Sequence, residues 1–183
     1  VTRTAPVSAQ QSPGSFLTSA LWNAQVKAII DWSCGSGTNG PPRFRGYQTS
    51  TQSIADSTWA ALNLDTESFD SDAGHSTSSN TSRYTVQVAG TYLIIGSAGF
   101  TASATGVRAV RLLVNGANPI TGTFVKTMAA AAGNSSGLVT TALSSFSAGD
   151  YVEVQGYQTS GGALSTSAGS DVACSLCALW ISS

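Results

Sequence analysis

The side chains able to carry chemistry are few and poorly matched to one another. His75 is the single histidine and lies in Phe69-Asp-Ser-Asp-Ala-Gly-His75-Ser. There Asp70 and Asp72 offer hard oxygen ligands for a metal loop. A calcium loop of the hand type also needs a bidentate glutamate at its twelfth position, where Thr81 stands. An Asx-rich turn between strands explains the same residues and is the preferred reading. Cysteines number three: Cys34, Cys174 and Cys177. An odd count argues against a disulfide framework, and free thiols suit a reducing cytoplasm. Cys174-Ser-Leu-Cys177 has redox or zinc spacing, but zinc needs a second ligand pair, and Cys34 and His75 are what remains. A redox pair would open a helix beside a βαβ pattern, which this segment lacks. On a strand, residues three apart face opposite sides, so the two thiols are expected as separate small fillers of the core. Serines are abundant, yet His75 is the sole base of its kind, and the acids stand mostly in turn-like contexts. The expectation is therefore no enzyme, no cofactor and no metal, with a hydrolase as the rival reading.

Composition narrows the class further. In 183 residues, 8 basic and 9 acidic side chains leave a net charge of −1. That balance has no electrostatic footprint for nucleic acid and no polybasic patch for anionic lipid. No apolar run is long enough to span a bilayer, and Val1-Thr-Arg-Thr-Ala-Pro-Val lacks the apolar core of a secretory signal. Neither nucleic acid nor a membrane is expected as a partner. A near-neutral surface instead suits a subunit that buries much of itself against copies of itself.

Three segments follow along the chain. Residues 1–33 read as an extended tail, punctuated by Pro6 and Pro13, and a helix over 15–32 that Thr18 or Ser19 can cap. Leu21, Ala24, Ala28 and Trp32 recur at helical spacing, as do Trp22, Val26 and Ile29 with Ile30. So broad an apolar face should dock on its own domain, on sister copies or on a partner. Leu21, Trp22, Val26, Ile29 and Trp32 are the expected anchoring residues. Residues 34–42, rich in Gly and Pro, form a linker. From residue 43 to 183 the period becomes two. Tyr84, Val86 and Val88 share a face; 92–100 is a long apolar run fit for a central strand; Val110, Leu112 and Val114 alternate and end on Asn115-Gly116, a turn dipeptide. The segments 138–146, 151–157 and 172–181 complete an all-β sandwich or barrel, with 129–137 and 160–170 as surface loops. The face carrying Tyr151, Glu153, Gln155 and Tyr157 is amphipathic, as subunit contacts are. Tyr92, Tyr151, Tyr157 and Trp180 are accordingly the expected interface residues.

Tyr84-Thr-Val-Gln-Val-Ala-Gly90-Thr-Tyr92-Leu-Ile resembles the entry to the central strand of the complement globular-head and tumour-necrosis-factor jelly rolls. Val110-Arg-Leu-Leu-Val-Asn115-Gly116 resembles the next strand and its turn. Ser144-Ser-Phe-Ser-Ala-Gly149-Asp150-Tyr-Val-Glu-Val154 and Ser175-Leu-Cys-Ala-Leu-Trp180 resemble the last two strands. The resemblance spans about residues 43–183 and implies a ten-stranded jelly-roll β-sandwich packed as a homotrimer. The front of the chain, Pro13-Gly-Ser-Phe-Leu-Thr18-Ser-Ala-Leu-Trp-Asn23-Ala-Gln-Val, with Pro41-Pro42, Asp65-Thr-Glu67-Ser-Phe-Asp70-Ser-Asp72 and Arg83-Tyr84, is similar to tailed-phage virion proteins and prophage copies in actinobacteria. This likeness implies a structural surface subunit of head or tail, assembled in the host cytoplasm and joined to other virion proteins through its N-terminal segment. The alternative is a receptor-binding module for a host-surface glycan, with Tyr47, Trp59 and Tyr157 as stacking faces.

Overall fold

A computed structural model describes residues 5–35, 40–131, 133–169 and 171–183. A helix, α1, runs through Ser19–Trp22, a wide π turn at Asn23–Lys27, and Ala28–Cys34. The expected start at residue 15 moves to Ser19 because Thr18 is extended and its Oγ1 accepts from the Leu21 N–H at 3.1 Å, as an N-cap does. In the π turn the Ala28 N–H reaches back to the Asn23 carbonyl. This extra residue per turn rotates the apolar stripe. Leu21, Val26, Ile29 and Trp32 become half-covered, whereas Trp22 and Ile30 stay exposed. The tail folds back on the helix, with the Ala9 N–H donating to Gln25 Oε1. No residue of α1 is buried; it meets the β region through Trp32, whose ring stands edge-on to Trp180 at 5.5 Å.

The β region comprises β1 (Arg43–Tyr47), β2 (Ser53–Ile54), β3 (Thr58–Ala61), β4 (Thr66–Asp70), β5 (Arg83–Thr85), β6 (Gly90–Phe100), β7 (Val107–Val114), β8 (Asn118–Pro119), β9 (Val125–Met128), β10 (Ser136–Phe146), β11 (Tyr151–Gln158), β12 (Leu164–Ser165) and β13 (Ser175–Ser182). One sheet has the order β10-β6-β13-β1-β4. The other has β3-β11-β7-β8, with β5 also on β11 and β9 also on β7; β12 and β2 form a separate short pair. All these pairings are antiparallel. The chain is thus a jelly-roll β-sandwich.

Alternation places the core between the sheets. Phe44, Tyr92, Ile94, Leu138, Leu176 and Ala178 meet Tyr84, Val110, Leu112, Val152 and Val154. The sheets come close where β6 carries Gly96: a Cβ there would lie 2.8 Å from Leu112 Cδ2 and 2.9 Å from Val154 Cγ2. Asn115 and Gly116 turn with positive φ (52° and 70°), closing a primed hairpin. Of the stretch 160–170, expected as a surface loop, residues 160–169 are instead tied into the body, and 170 lies outside the described residues. Gln158 is fully buried and donates to the carbonyls of Ile54 and Gly162, while the Gln52 N–H donates to the buried Thr166 hydroxyl. A buried amide needs such partners, and the loop supplies them.

Asp65 staples the turn after β1. One carboxylate oxygen accepts from the Thr49 N–H (2.7 Å) and hydroxyl (2.9 Å), the other from the Ser50 N–H (2.8 Å). Desolvation opposes ionisation, but these bonds win and hold the carboxyl at about 2. A depressed folded pKa means the stabilisation is complete above the ordinary carboxylate range and fades as pH falls toward 2. Asp65→Asn should therefore destabilise the protein near neutrality and lose that deficit in strong acid. Urea unfolding at about pH 5 and about pH 2 measures the gap, and a gap that does not shrink removes Asp65 from the acid response.

Candidate functional site

The loop around His75 is closed rather than open. His75 Nδ1 lies 2.6 Å from Glu67 Oε1 and Nε2 lies 3.0 Å from the Thr81 carbonyl, which can only accept; the imidazole itself has no exposure. Nε2 therefore carries a proton, and Nδ1 is occupied by a carboxylate. Asp70 accepts from the backbone N–H of His75 and of Asp72, and Asp72 accepts from the Tyr84 hydroxyl. Tyr84 stacks on Phe44, and Phe44 on His75, both at 4.9 Å. Burial first, then the Asp72 charge, pushes the Tyr84 phenol far above its ordinary value, so it stays a neutral donor. These residues lock a turn to the core. They leave no nitrogen free to activate a hydroxyl.

The cysteines do not converge either. Cys174 is buried, and burial raises its thiol to about 11, with hydrogen bonding at Gly99 as a smaller opposing effect. Cys177 is on the opposite face of its sheet, half-buried beside Arg45 rather than in the core, and desolvation raises it too. Neither is a thiolate near neutral pH, which is the form that ligates or attacks. One Gly-x-Ser-x-Gly string exists, Gly133-Asn-Ser-Ser-Gly137. It runs into β10, a strand, whereas a nucleophile elbow turns from strand into helix.

Of the four aromatic residues expected at a subunit contact, Tyr92 and Trp180 point inward and Tyr151 and Tyr157 outward. Tyr92 is fully buried inside the sandwich, packed between Tyr84 and Phe146, with its hydroxyl donating to the Val88 carbonyl. Trp180 shares the inward parity of Leu176 and Ala178, donates to the Ala89 carbonyl and carries Trp32. The Tyr92 ring is wholly enclosed and offers nothing to a neighbouring copy, whereas Trp180 is half-covered and carries the helix. Tyr151 and Tyr157 lie on the outer face of the second sheet, among side chains that contact one another. Arg83 lies over Tyr151 at 4.5 Å, Glu153 accepts from the Ser82 hydroxyl, and Arg111 donates to Gln155. Tyr47 sits on the other sheet, so it cannot join Trp59 and Tyr157, which touch at 5.1 Å.

Among the described residues, one unpartnered apolar surface is the outer face of the five-stranded sheet. Strand register sets Leu179, Leu93 and Leu143 in one row and Cys177, Ile95 and Thr141 in the next, with Val139 beyond. Leu143 is 67% and Val139 59% exposed. Toward Arg45, Tyr47 and Asp171 the face deepens into a groove of about 630 Å³. The edge strand β10 spans Ser136–Phe146 with neither charge nor proline to blunt its free edge. The sequence carried a signal for this. Leu93-Ile94-Ile95, Leu138-Val139 and Leu179-Trp180-Ile181 are apolar at both parities, as strands covered on both faces are.

Fold and surface together define an all-β jelly-roll domain with an exposed apolar sheet face. It has the architecture of the complement globular-head and tumour-necrosis-factor domains. The globular domain of zebrafish complement 1qA superposes with a TM-score of 0.53 at 14% identity, covering 76% of this chain and 97% of that one. Murine APRIL gives 0.57 at 13% identity (76% and 98%), and the Eiger TNF of S. frugiperda 0.57 at 12% (77% and 91%). No protein-family model matches the sequence, and no curated protein matches it significantly.

Proposed function

We propose that this chain is a non-enzymatic structural subunit that closes into a homotrimer through the outer face of its five-stranded sheet. The observation that carries the proposal is the row Leu179, Leu93 and Leu143 beside the uncharged edge β10. Covering Leu143, the most exposed of the row, stabilises by about 1–2 kcal/mol, the half-buried leucines add less, and the covered edge is protected from other pairing. Three as the copy number is supported by the resemblance of residues 43–183 to the complement and tumour-necrosis-factor jelly rolls. Mass photometry of the purified chain tests it; a monomer that persists at micromolar concentration retires it.

The trimer's proposed place is the surface of a tailed bacteriophage, on head or tail, with α1 as its anchor to other virion proteins. The sequence likeness of the front segment supports this, as do the exposure of Phe16, Leu17, Trp22 and Ile30 and the slight hold of α1 on the β region. Deleting residues 1–33 should leave a folded trimer whose occupancy on particles falls to background in quantitative mass spectrometry. Full occupancy by the truncated chain removes the anchor role. The contact between Trp59 and Tyr157 favours a second, compatible role in recognising a cell-surface glycan.

A further inference from the structure

We infer that Arg111, held over Trp59 and flanked by Phe124 and Lys126, binds the carboxylate of an acidic sugar on the outer face of the second sheet. The inference deepens the glycan-recognition role and rests on it.

Register places the parts on one face. Tyr157 pairs with Trp59 on one side and Ala109 on the other, Ala109 pairs with Lys126, and Arg111 pairs with Gln155. Trp59 contacts Tyr157 at 5.1 Å and Phe124 at 6.1 Å, and Ala109 on this face is completely covered. The guanidinium carbon of Arg111 lies 4.1 Å from the centre of the Trp59 ring, and its Nε donates to Gln155 Oε1 at 2.9 Å. Two contacts thus fix the plane and direction of the guanidinium. Its terminal nitrogens have no partner among the described residues. Three other arginines differ: Arg108 donates to three carbonyls, Arg83 to Asn80 and Arg45 to Ser68. Arg111 alone of these four keeps its whole terminal edge, the pair of parallel N–H donors that matches a carboxylate.

The surroundings select the ligand. Lys126 is exposed and adds a second cation, whereas Glu153, the acid on this face, is engaged by Ser82. Phe124 is 59% exposed and presents a ring to solvent beside the fork. A pyranose acid offers a flat C–H face for that ring and a carboxylate held rigidly at its rim. A glutamate side chain offers the carboxylate on a flexible stem and nothing for the ring, and it loses more freedom on binding.

The test uses the full chain against immobilised polygalacturonate, hyaluronan and colominic acid. Methyl-esterified pectin and dextran serve as uncharged counterparts, with poly-glutamate and dextran sulfate as other polyanions. At least one carboxylated polysaccharide should bind, and the uncharged ones about tenfold or more weakly. Arg111→Lys, which keeps charge but loses the fork, should weaken binding by about tenfold, and Phe124→Ala should also weaken it. Arg83→Ala should leave binding unchanged. The inference is overturned if no carboxylated polysaccharide binds, if poly-glutamate or dextran sulfate binds equally well, or if Arg111→Lys binds undiminished. Mass photometry of every variant reads assembly separately, so loss of this site and loss of the trimer are told apart.

Discussion

Leu143→Glu should yield a folded protomer that no longer assembles. Leu143 projects from β10 opposite Leu93, in the row that continues to Leu179. In the protomer its side chain is already mostly in water, so the change costs that state no more than about 0.5 kcal/mol. Pressed against a sister sheet, the same carboxylate would be buried without a partner, at about 3 kcal/mol or more, which weakens association by about a hundredfold. Mass photometry across a dilution series should show trimer for the wild type and protomer for the variant, with unchanged circular dichroism. Met128→Glu, at an exposed position on the outer face of the opposite sheet, should assemble normally. A Leu143→Glu chain that still forms trimers at wild-type concentrations would mean that this face is not the contact.

Arg108→Leu should cost about 3 kcal/mol of stability, or a fall in Tm of about 10 °C. Among the described residues Arg108 is the largest fully buried side chain, and it has no acid as partner there. Its Nη1 donates to the carbonyls of Thr105 (3.0 Å) and Val107 (2.9 Å), its Nη2 to that of Ser103 (3.2 Å), and the guanidinium lies 5.9 Å from the Phe100 ring centre. Desolvation works against its charge, pushing the guanidinium below its usual value. The group is retained because it satisfies a loop whose carbonyls point inward. Leucine fills some of the space and takes the guanidinium donors from the carbonyls of Ser103 and Thr105, which is the expensive outcome, while the Val107 carbonyl keeps the Thr159 N–H. Urea unfolding at one fixed protein concentration measures the loss, since assembly also contributes to apparent stability. A loss below about 1 kcal/mol would show that water or backbone relaxation replaces the guanidinium.

Much of the sandwich could be read directly. Tyr84, Val86 and Val88 are buried together as their spacing indicates, Asn115-Gly116 makes the primed turn, and the run from Tyr92 to Phe100 lies inside its sheet between β10 and β13. The chemistry-bearing residues were harder to place. Alternation shows that Tyr92 and Leu93 face opposite ways, but both are apolar, so the pattern cannot say which of the two points into the core. The core took the tyrosine, and the leucine was left outside. Trp180 followed the same rule. The π turn in α1 was hidden as well, because one extra residue leaves the composition of a helix unchanged and alters only its phase.

What the sequence by itself determined is the class of structure: a low charge, a period of two, and turn residues at strand ends leave a β-sandwich with a short apolar helix in front. What only the tertiary structure decided is which side of each strand is public. Residues distant in sequence, such as Trp59, Phe124 and Arg111, or Leu93, Leu143 and Leu179, become one surface through strand order and register. Strand order is set by long-range pairing, and where adjacent positions are both apolar, as at Leu93 and Ile94, alternation leaves the inward face undecided.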